Sequence, residues 1–204
     1  MSDADAAVIE LHHKIYGEGD PVLCIHGFGA SLFSWRNFVD PLSRNNQLIL
    51  IDAGAYKEYI PFYVKLIGFP IIGAAAVYLI PARCMAKNVL KMSYYDPGKI
   101  TAEQIAAYAA PLAAPGGKHA LLETGKQILP PNIDELIAKY KDINVPSLII
   151  WGEQDKVISP EVGELLDQAI PNSTLKWIDQ CGHVPQEEMP EATIPLVLDF
   201  LQSL

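Results

Sequence analysis

"PVLCIHGFGAS", residues 21 to 31, decides how the rest of the chain is read. Pro21 to Gly27 is a continuous apolar run ending in His-Gly, without the polar alternation of a half-exposed strand. Such a run suits a strand buried on both faces of a parallel sheet. Helical spacing follows it: Trp35, Phe38, Val39 and Leu42 fall within Ser31 to Arg44, where Pro41 should kink or shorten the helix. Leu48 to Asp52 is a second buried run. Strand, helix and strand in this order form a parallel crossover unit. The fold class is therefore α/β, with a mostly parallel sheet.

Upstream, "VIELHHKIYGEGD" reads as a short edge hairpin with a Gly19-Asp20 turn. Downstream, residues 56–140 lose the alternation and read as helices broken by prolines. Thr101 and Gln104 form a capping box that opens a helix through Ile105, Tyr108 and Ala109. "APGG", Ala114 to Gly117, is a turn. Asn132 with Glu135 should cap a helix bearing Ile133, Leu136, Ile137 and Tyr140. The crossover rhythm then returns. "PSLIIWGEQD", Pro146 to Asp155, is a strand and its loop, and Ser159-Pro160 should start a helix by cap and N1 proline. "STLKWID", Ser173 to Asp179, is a further strand, and Ala192 to Leu201 looks helical despite Pro195. With both hairpin strands the sheet would have about six strands, an ordinary number.

Composition excludes several classes. The 204 residues are half apolar and 19% charged, with net charge -9 and no basic run. That is one domain with a sizeable core, spanning residues 1–204, and a poor partner for a phosphate backbone, so nucleic acid is not expected. Cys24, Cys84 and Cys181 are too few and too scattered for a disulfide framework or zinc site, and a reducing cytoplasm fits them. All three read as buried packing residues. "MSDADAAVIE" has no apolar core and does not read as a signal peptide. Leu66 to Ala82 carries no charge, but Gly68, Pro70, Gly73 and Pro81 interrupt it. It reads as a buried or pocket-covering helix pair and not as a membrane span. His12 and His13 are adjacent on a strand, so they point to opposite faces and do not form a metal site. His119 reads as a helix-surface residue. No metal or cofactor is expected.

Three stretches carry chemistry, each after an expected strand: His26-Gly27-Phe28-Gly29-Ala30-Ser31, Trp151-Gly152-Glu153-Gln154-Asp155, and Gly182-His183-Val184-Pro185. Sites in such sheets lie at the carboxyl ends of strands. Together, in this order, the "HGFGAS" turn, the proline-rich helical stretch, "WGEQD" and "GHVPQEE" resemble the α/β-hydrolase family. The resemblance implies a shortened sheet with a helical lid at about 56–140. It also implies Asp155 as the acid, His183 as the general base and the Phe28 backbone N–H as half of an oxyanion hole. Glu153 is the alternative acid, and His26 would steady the oxyanion turn. The implied substrate class is small apolar esters or related carbonyl compounds. Phe62, Tyr63, Phe69, Tyr78, Tyr94 and Tyr95 would pack the lid or wall its pocket.

One element of that pattern is absent. A serine nucleophile needs a sharp G-x-S-x-G turn between strand and helix, and none of the nine serines has glycine two residues away on both sides. "QLILIDAGAYKEYIP", residues 47 to 61, runs from a buried strand straight into a connector. Its left half resembles the family's strand before the nucleophile, and its right half the strand after it. The pattern points to loss of one contiguous block at the shared "LILID", holding the elbow and its flanking helices. Ser31 lies two residues after Gly29 and reads as a helix cap rather than a substitute nucleophile. Asp52-Ala53-Gly54 has the Asp-x-Gly form of haloalkane dehalogenases, which leaves Asp52 as the remaining candidate. A chain so shortened should be an inactive or weak hydrolase; the alternative is a non-catalytic remnant that at most binds an apolar ligand under its lid, and an exposed sheet edge should favour self-association.

Overall fold

The computed structural model describes residues 69–128 and 131–203, together with residues 14, 28, 30, 32–38, 56–59, 61, 64 and 65. The hairpin and the strands expected at 21–27 and 48–52 lie outside the described residues, as do His12, His13, Cys24, His26, Ser31, Asp52, Phe62 and Tyr63.

Two strands pair in parallel, β1 (Ser147–Gly152) and β2 (Ser173–Ile178). They run in step, Ser147 opposite Ser173 and Gly152 opposite Ile178. Parallel neighbours need a crossover, and helix α6 (Glu161–Ala169) supplies it. Successive β1 side chains point to opposite faces, and each face has its own core. Leu148 and Ile150 pack with Trp35, Phe38, Ile178, Val197 and Leu201 on one side. Ile149 and Trp151 pack with Ile158, Val162, Leu166 and Ile170 on the other. Trp35 and Phe38 meet edge-to-face, with ring centroids 5.9 Å apart. Helix α8 (Pro190–Gln202) supplies Val197 and Leu201, and it continues through Pro195. Pro185–Glu188 forms the single turn α7 before it.

The helical stretch contains α1 (Pro70–Leu79), α2 (Ala82–Ser93), α3 (Ala102–Ala113), α4 (Gly117–Gln127) and α5 (Ile133–Ile137). The capping box that opens α3 forms as expected: Gln104 N–H donates to Thr101 Oγ1 at 3.1 Å, and Thr101 N–H to Gln104 Oε1 at 2.7 Å. Ala86 and Leu90 of α2 and Tyr108 and Ala109 of α3 build a third core around Tyr94. The "APGG" turn places Gly116 in the left-handed region at φ 79°.

Several expectations are corrected. The burial offered as one reading of Leu66 to Ala82 is not met along α1, which leaves Ile71 84% and Leu79 81% exposed. At ten residues α1 is short, and no described helix is long and apolar enough to cross a membrane. Cys84 is exposed on α2, because its side faces away from the core that Ala86 and Leu90 enter. Asn132 stands at the start of α5 but its side chain makes no cap bond, and the helix ends at Ile137, before Tyr140. The cap of α6 is Pro160 and not Ser159, so the helix begins one residue later than expected. The Trp35 region forms a 3-10 turn, Leu32–Trp35, within the described part of the expected helix.

Candidate active site

Beyond Gly152 the chain turns through Glu153 and Gln154 to Asp155. Glu153 N–H donates to Ile178 O at 3.0 Å, which continues the strand pairing by one step. Asp155 then folds inward, and its side chain is wholly buried. Its Oδ1 accepts from the backbone N–H of Val157 at 2.7 Å and of Ile158 at 3.0 Å. That leaves Oδ2 for one partner, His183 Nδ1, at 2.9 Å. A carboxylate only accepts, so Nδ1 donates in this contact, and Nε2 is the ring nitrogen left for a further partner. Nε2 is hydrogen-bonded to no described residue, and the ring is 22% exposed. Glu153, the alternative acid, is exposed, and the ring's carboxylate partner is Asp155.

The loop bearing His183 is locked on three sides. Gln154 N–H donates to Cys181 O, and Cys181 N–H donates back to Gln154 Oε1, both at 3.0 Å. Gln180 takes a left-handed φ of 54°, and Asp179 Oδ1 accepts its N–H at 2.8 Å. Two glycines let backbones meet: a Cβ on Gly152 would lie 2.1 Å from Gly182 O, and one on Gly182 would lie 2.2 Å from Ser93 O. His183 N–H itself donates to Ser93 O at 2.6 Å, at the end of α2.

The residues that sequence reasoning missed are Glu187 and Glu188, both buried on α7. Glu188 accepts from Gly182 N–H at 2.8 Å, Tyr95 N–H at 3.0 Å and Asp96 N–H at 2.8 Å. One carboxylate thus ties the histidine loop to the end of α2. Glu187 pairs with Arg36 Nη1 at 2.6 Å and accepts from the Tyr108 hydroxyl. Tyr108 has a single proton to give, so Ser34 donates to Tyr108 at 3.1 Å. Gln104 Nε2 donates to the Tyr94 hydroxyl at 2.5 Å. Burial, and then the charge of Glu187, push both phenols above the ordinary tyrosine range. Adjacent acidic residues ordinarily read as a solvated turn. The only available signal was their position in "GHVPQEE", directly after the histidine.

Phe28 stands half-buried in a turn, two residues before Ala30. Ala30 packs on the same core as Val184, the neighbour of His183. Among the described residues no hydroxyl is hydrogen-bonded to His183: Ser34 is engaged with Tyr108, and the Ser93 hydroxyl donates to Val89 O. Cys181 is wholly buried, and its thiol faces Gly182 O at 3.7 Å. No group of three His, Cys, Asp or Glu side chains among the described residues is placed to hold a metal ion. Tyr94 is core, Phe69 and Tyr95 are exposed, and Tyr78 borders an open pocket of about 380 Å³ with Ala82, Leu112, Ala114, Lys118 and His119. That pocket does not include Asp155 or His183, and His119 is a surface residue as expected.

A family profile described as the alpha/beta hydrolase fold matches residues 93–190, the span that contains both Asp155 and His183. A crystal structure of an alpha/beta hydrolase fold protein from Burkholderia ambifaria superposes with a TM-score of 0.79, covering 90% of this chain and 92% of that one. This chain has the α/β-hydrolase fold. At 21% identity the Burkholderia likeness speaks for the fold alone. Among curated relatives, a 2-hydroxy-6-oxononadienedioate/2-hydroxy-6-oxononatrienedioate hydrolase of Pseudomonas putida is 30% identical over 164 residues, 78% of this α/β-hydrolase chain. The monoacylglycerol lipase ABHD6 of Rattus norvegicus is 42% identical over 62 residues, 30% of the chain. The chain spans 55% of the length of the first relative and 18% of the second.

Proposed function

We propose that this chain is an α/β-hydrolase of the type that acts on small apolar esters or related carbonyl compounds, reduced to a form that binds such a ligand without turning it over. The observation that carries the proposal is the contrast between an assembled acid–histidine pair and a sequence without a G-x-S-x-G elbow. Asp155 is the acid and His183 the base. The imidazole, held in one tautomer by the carboxylate, would take a hydroxyl proton at Nε2 and return it to the leaving group. The Phe28 N–H is one oxyanion donor; the second follows the nucleophile in this family and is lost with it. Loss of the nucleophile in a comparable triad lowers kcat by about 10⁶. Residues 56–140 act as the lid over the ligand. The relatives named as a monoacylglycerol lipase and as a hydrolase of a 2-hydroxy-6-oxo diacid support an ester or carbonyl substrate class.

The missing elbow is best accounted for by loss of one block between two strands that both end in an "LILID"-like sequence. Reading the parent gene tests this, since uninterrupted coding from Asn46 to Ala55 that relatives share would replace a lost block with an evolved short form. The functional reading is tested with a serine-directed phosphonate and a short-chain activated ester. The expected result is no covalent adduct and saturable, non-covalent binding of the ester. One stoichiometric adduct that disappears in His183→Ala would overturn it, and an adduct on Asp52 would name the nucleophile.

A further inference from the structure

Helix α1 is apolar on every side, which in a water-soluble setting calls for burial on every side. Among the described residues it is covered on one side, where Val77 is buried and α4 packs against it. Lys118 of α4 holds its C-terminal end by donating to Tyr78 O at 3.0 Å and Ile80 O at 2.8 Å. Phe69, Ile71, Ile72, Tyr78 and Leu79 remain more than half exposed, and the seven-residue spacing of Ile71 with Tyr78 and of Ile72 with Leu79 puts them on one side of the helix. Contiguous exposed apolar surface of this kind marks an interaction site.

Charge identifies the partner. Between Tyr59 and Tyr95 every charged residue is basic, namely Lys65, Arg83, Lys87 and Lys91, in a chain whose net charge is -9. Arg83, Lys87 and Lys91 follow at four-residue intervals along α2, so they share one side of it, and all are exposed. None of the four is in an ion pair with a described residue. A charge-free apolar helix followed directly in the chain by an uncompensated basic row is what an interfacial segment presents to acyl chains and anionic headgroups. The exposed Tyr78 suits the boundary, with an apolar ring and a polar hydroxyl. A second copy of the chain fits worse, because a two-fold contact through α1 would bring like basic rows together.

We propose that α1 and the basic side of α2 dock on the surface of an anionic lipid bilayer, with Ile71, Ile72 and Leu79 entering the headgroup region and Arg83, Lys87 and Lys91 meeting the anionic headgroups. The docking is peripheral and does not depend on catalysis at His183. It is tested by co-sedimentation of the full chain with phosphatidylcholine vesicles, with and without roughly three parts in ten of phosphatidylserine. Amide exchange across residues 69–80 is followed in parallel. Binding should be at least about tenfold tighter to the anionic vesicles, and should fall steeply at about 1 M salt, where the screening length is ~3 Å. Amide protection should rise at α1. Ile71→Ser with Leu79→Ser should abolish binding. Neutralising Arg83, Lys87 and Lys91 to Gln should weaken it about fivefold per charge. These side chains are exposed, so near-ultraviolet dichroism should be unchanged in both variants. Equal binding to neutral vesicles, protection at segments other than α1, or no binding to either vesicle would overturn the proposal. So would a dimer in lipid-free solution that the Ile71→Ser, Leu79→Ser variant dissociates, which would assign the face to a second copy.

Discussion

Strand β1 and helix α1 are both charge-free apolar stretches, "SLIIWG" and "PIIGAAAVYL", but they meet opposite fates. From Leu148 to Gly152 β1 is buried on both faces, whereas α1 leaves Ile71 and Leu79 more than four-fifths exposed. The inversion is completed by Glu187 and Glu188, which are buried while Ile71 and Ile72 face outward. An apolar run states a demand for burial, and only the surrounding fold decides whether the demand is met. Two carboxylates can go inside because each finds enough donors: three backbone N–H groups for Glu188, a guanidinium and a phenol for Glu187.

The contrast can be broken most forcefully at β1. Trp151→Ala should cost about 3–5 kcal/mol in chemical denaturation, since it empties the core between β1 and α6. Glu188→Ala should cost about 3 kcal/mol, because three N–H groups lose their acceptor together. It should also release the histidine loop from the end of α2, visible as faster amide exchange at Gly182. Next come the buried phenols. Burial, reinforced by Glu187, keeps Tyr94 and Tyr108 protonated above the ordinary value of 10.0. In the unfolded chain they ionise near that value, so above about pH 10 the folded state binds more protons and stability falls as pH rises. Tyr94→Phe should flatten that alkaline limb in pH-dependent melts; an unchanged limb would place its origin elsewhere. The smallest effect belongs to α1. Ile71→Ala should stay within about 0.5 kcal/mol of the parent chain, and a loss near that of Trp151→Ala would mean that α1 has a hidden partner within the fold.

These differences also explain what could be read in the sequence. β1, β2 and the capping box of α3 were legible because each is specified locally: apolar run, β-rich run, and Thr101 three residues before Gln104. Asp155 and His183 were legible through their motifs, and the structure brings them to 2.9 Å. The exposure of Cys84 and α1 was not legible, because an apolar residue carries no mark of which neighbours will be present. Burial of Glu187 and Glu188 was hidden for a related reason. Adjacent residues on a helical turn point about 100° apart, so both are buried only when the turn is covered on two sides, a property of the packing of Arg36, Tyr95 and Gly182 around it. The missing cap bond at Asn132 shows the reverse, a local signal present in the sequence and unused in the fold.

The candidate site depends on an imidazole held in one tautomer by Asp155. Nitrogen-15 spectra of the His183 ring at about pH 8.5, where an ordinary imidazole is neutral, report that tautomer directly. The prediction is a single species protonated on Nδ1 that Asp155→Asn converts to a different or mixed state. A wild-type ring protonated on Nε2, or averaging between tautomers, would contradict the claim that this chain keeps an assembled acid–histidine pair.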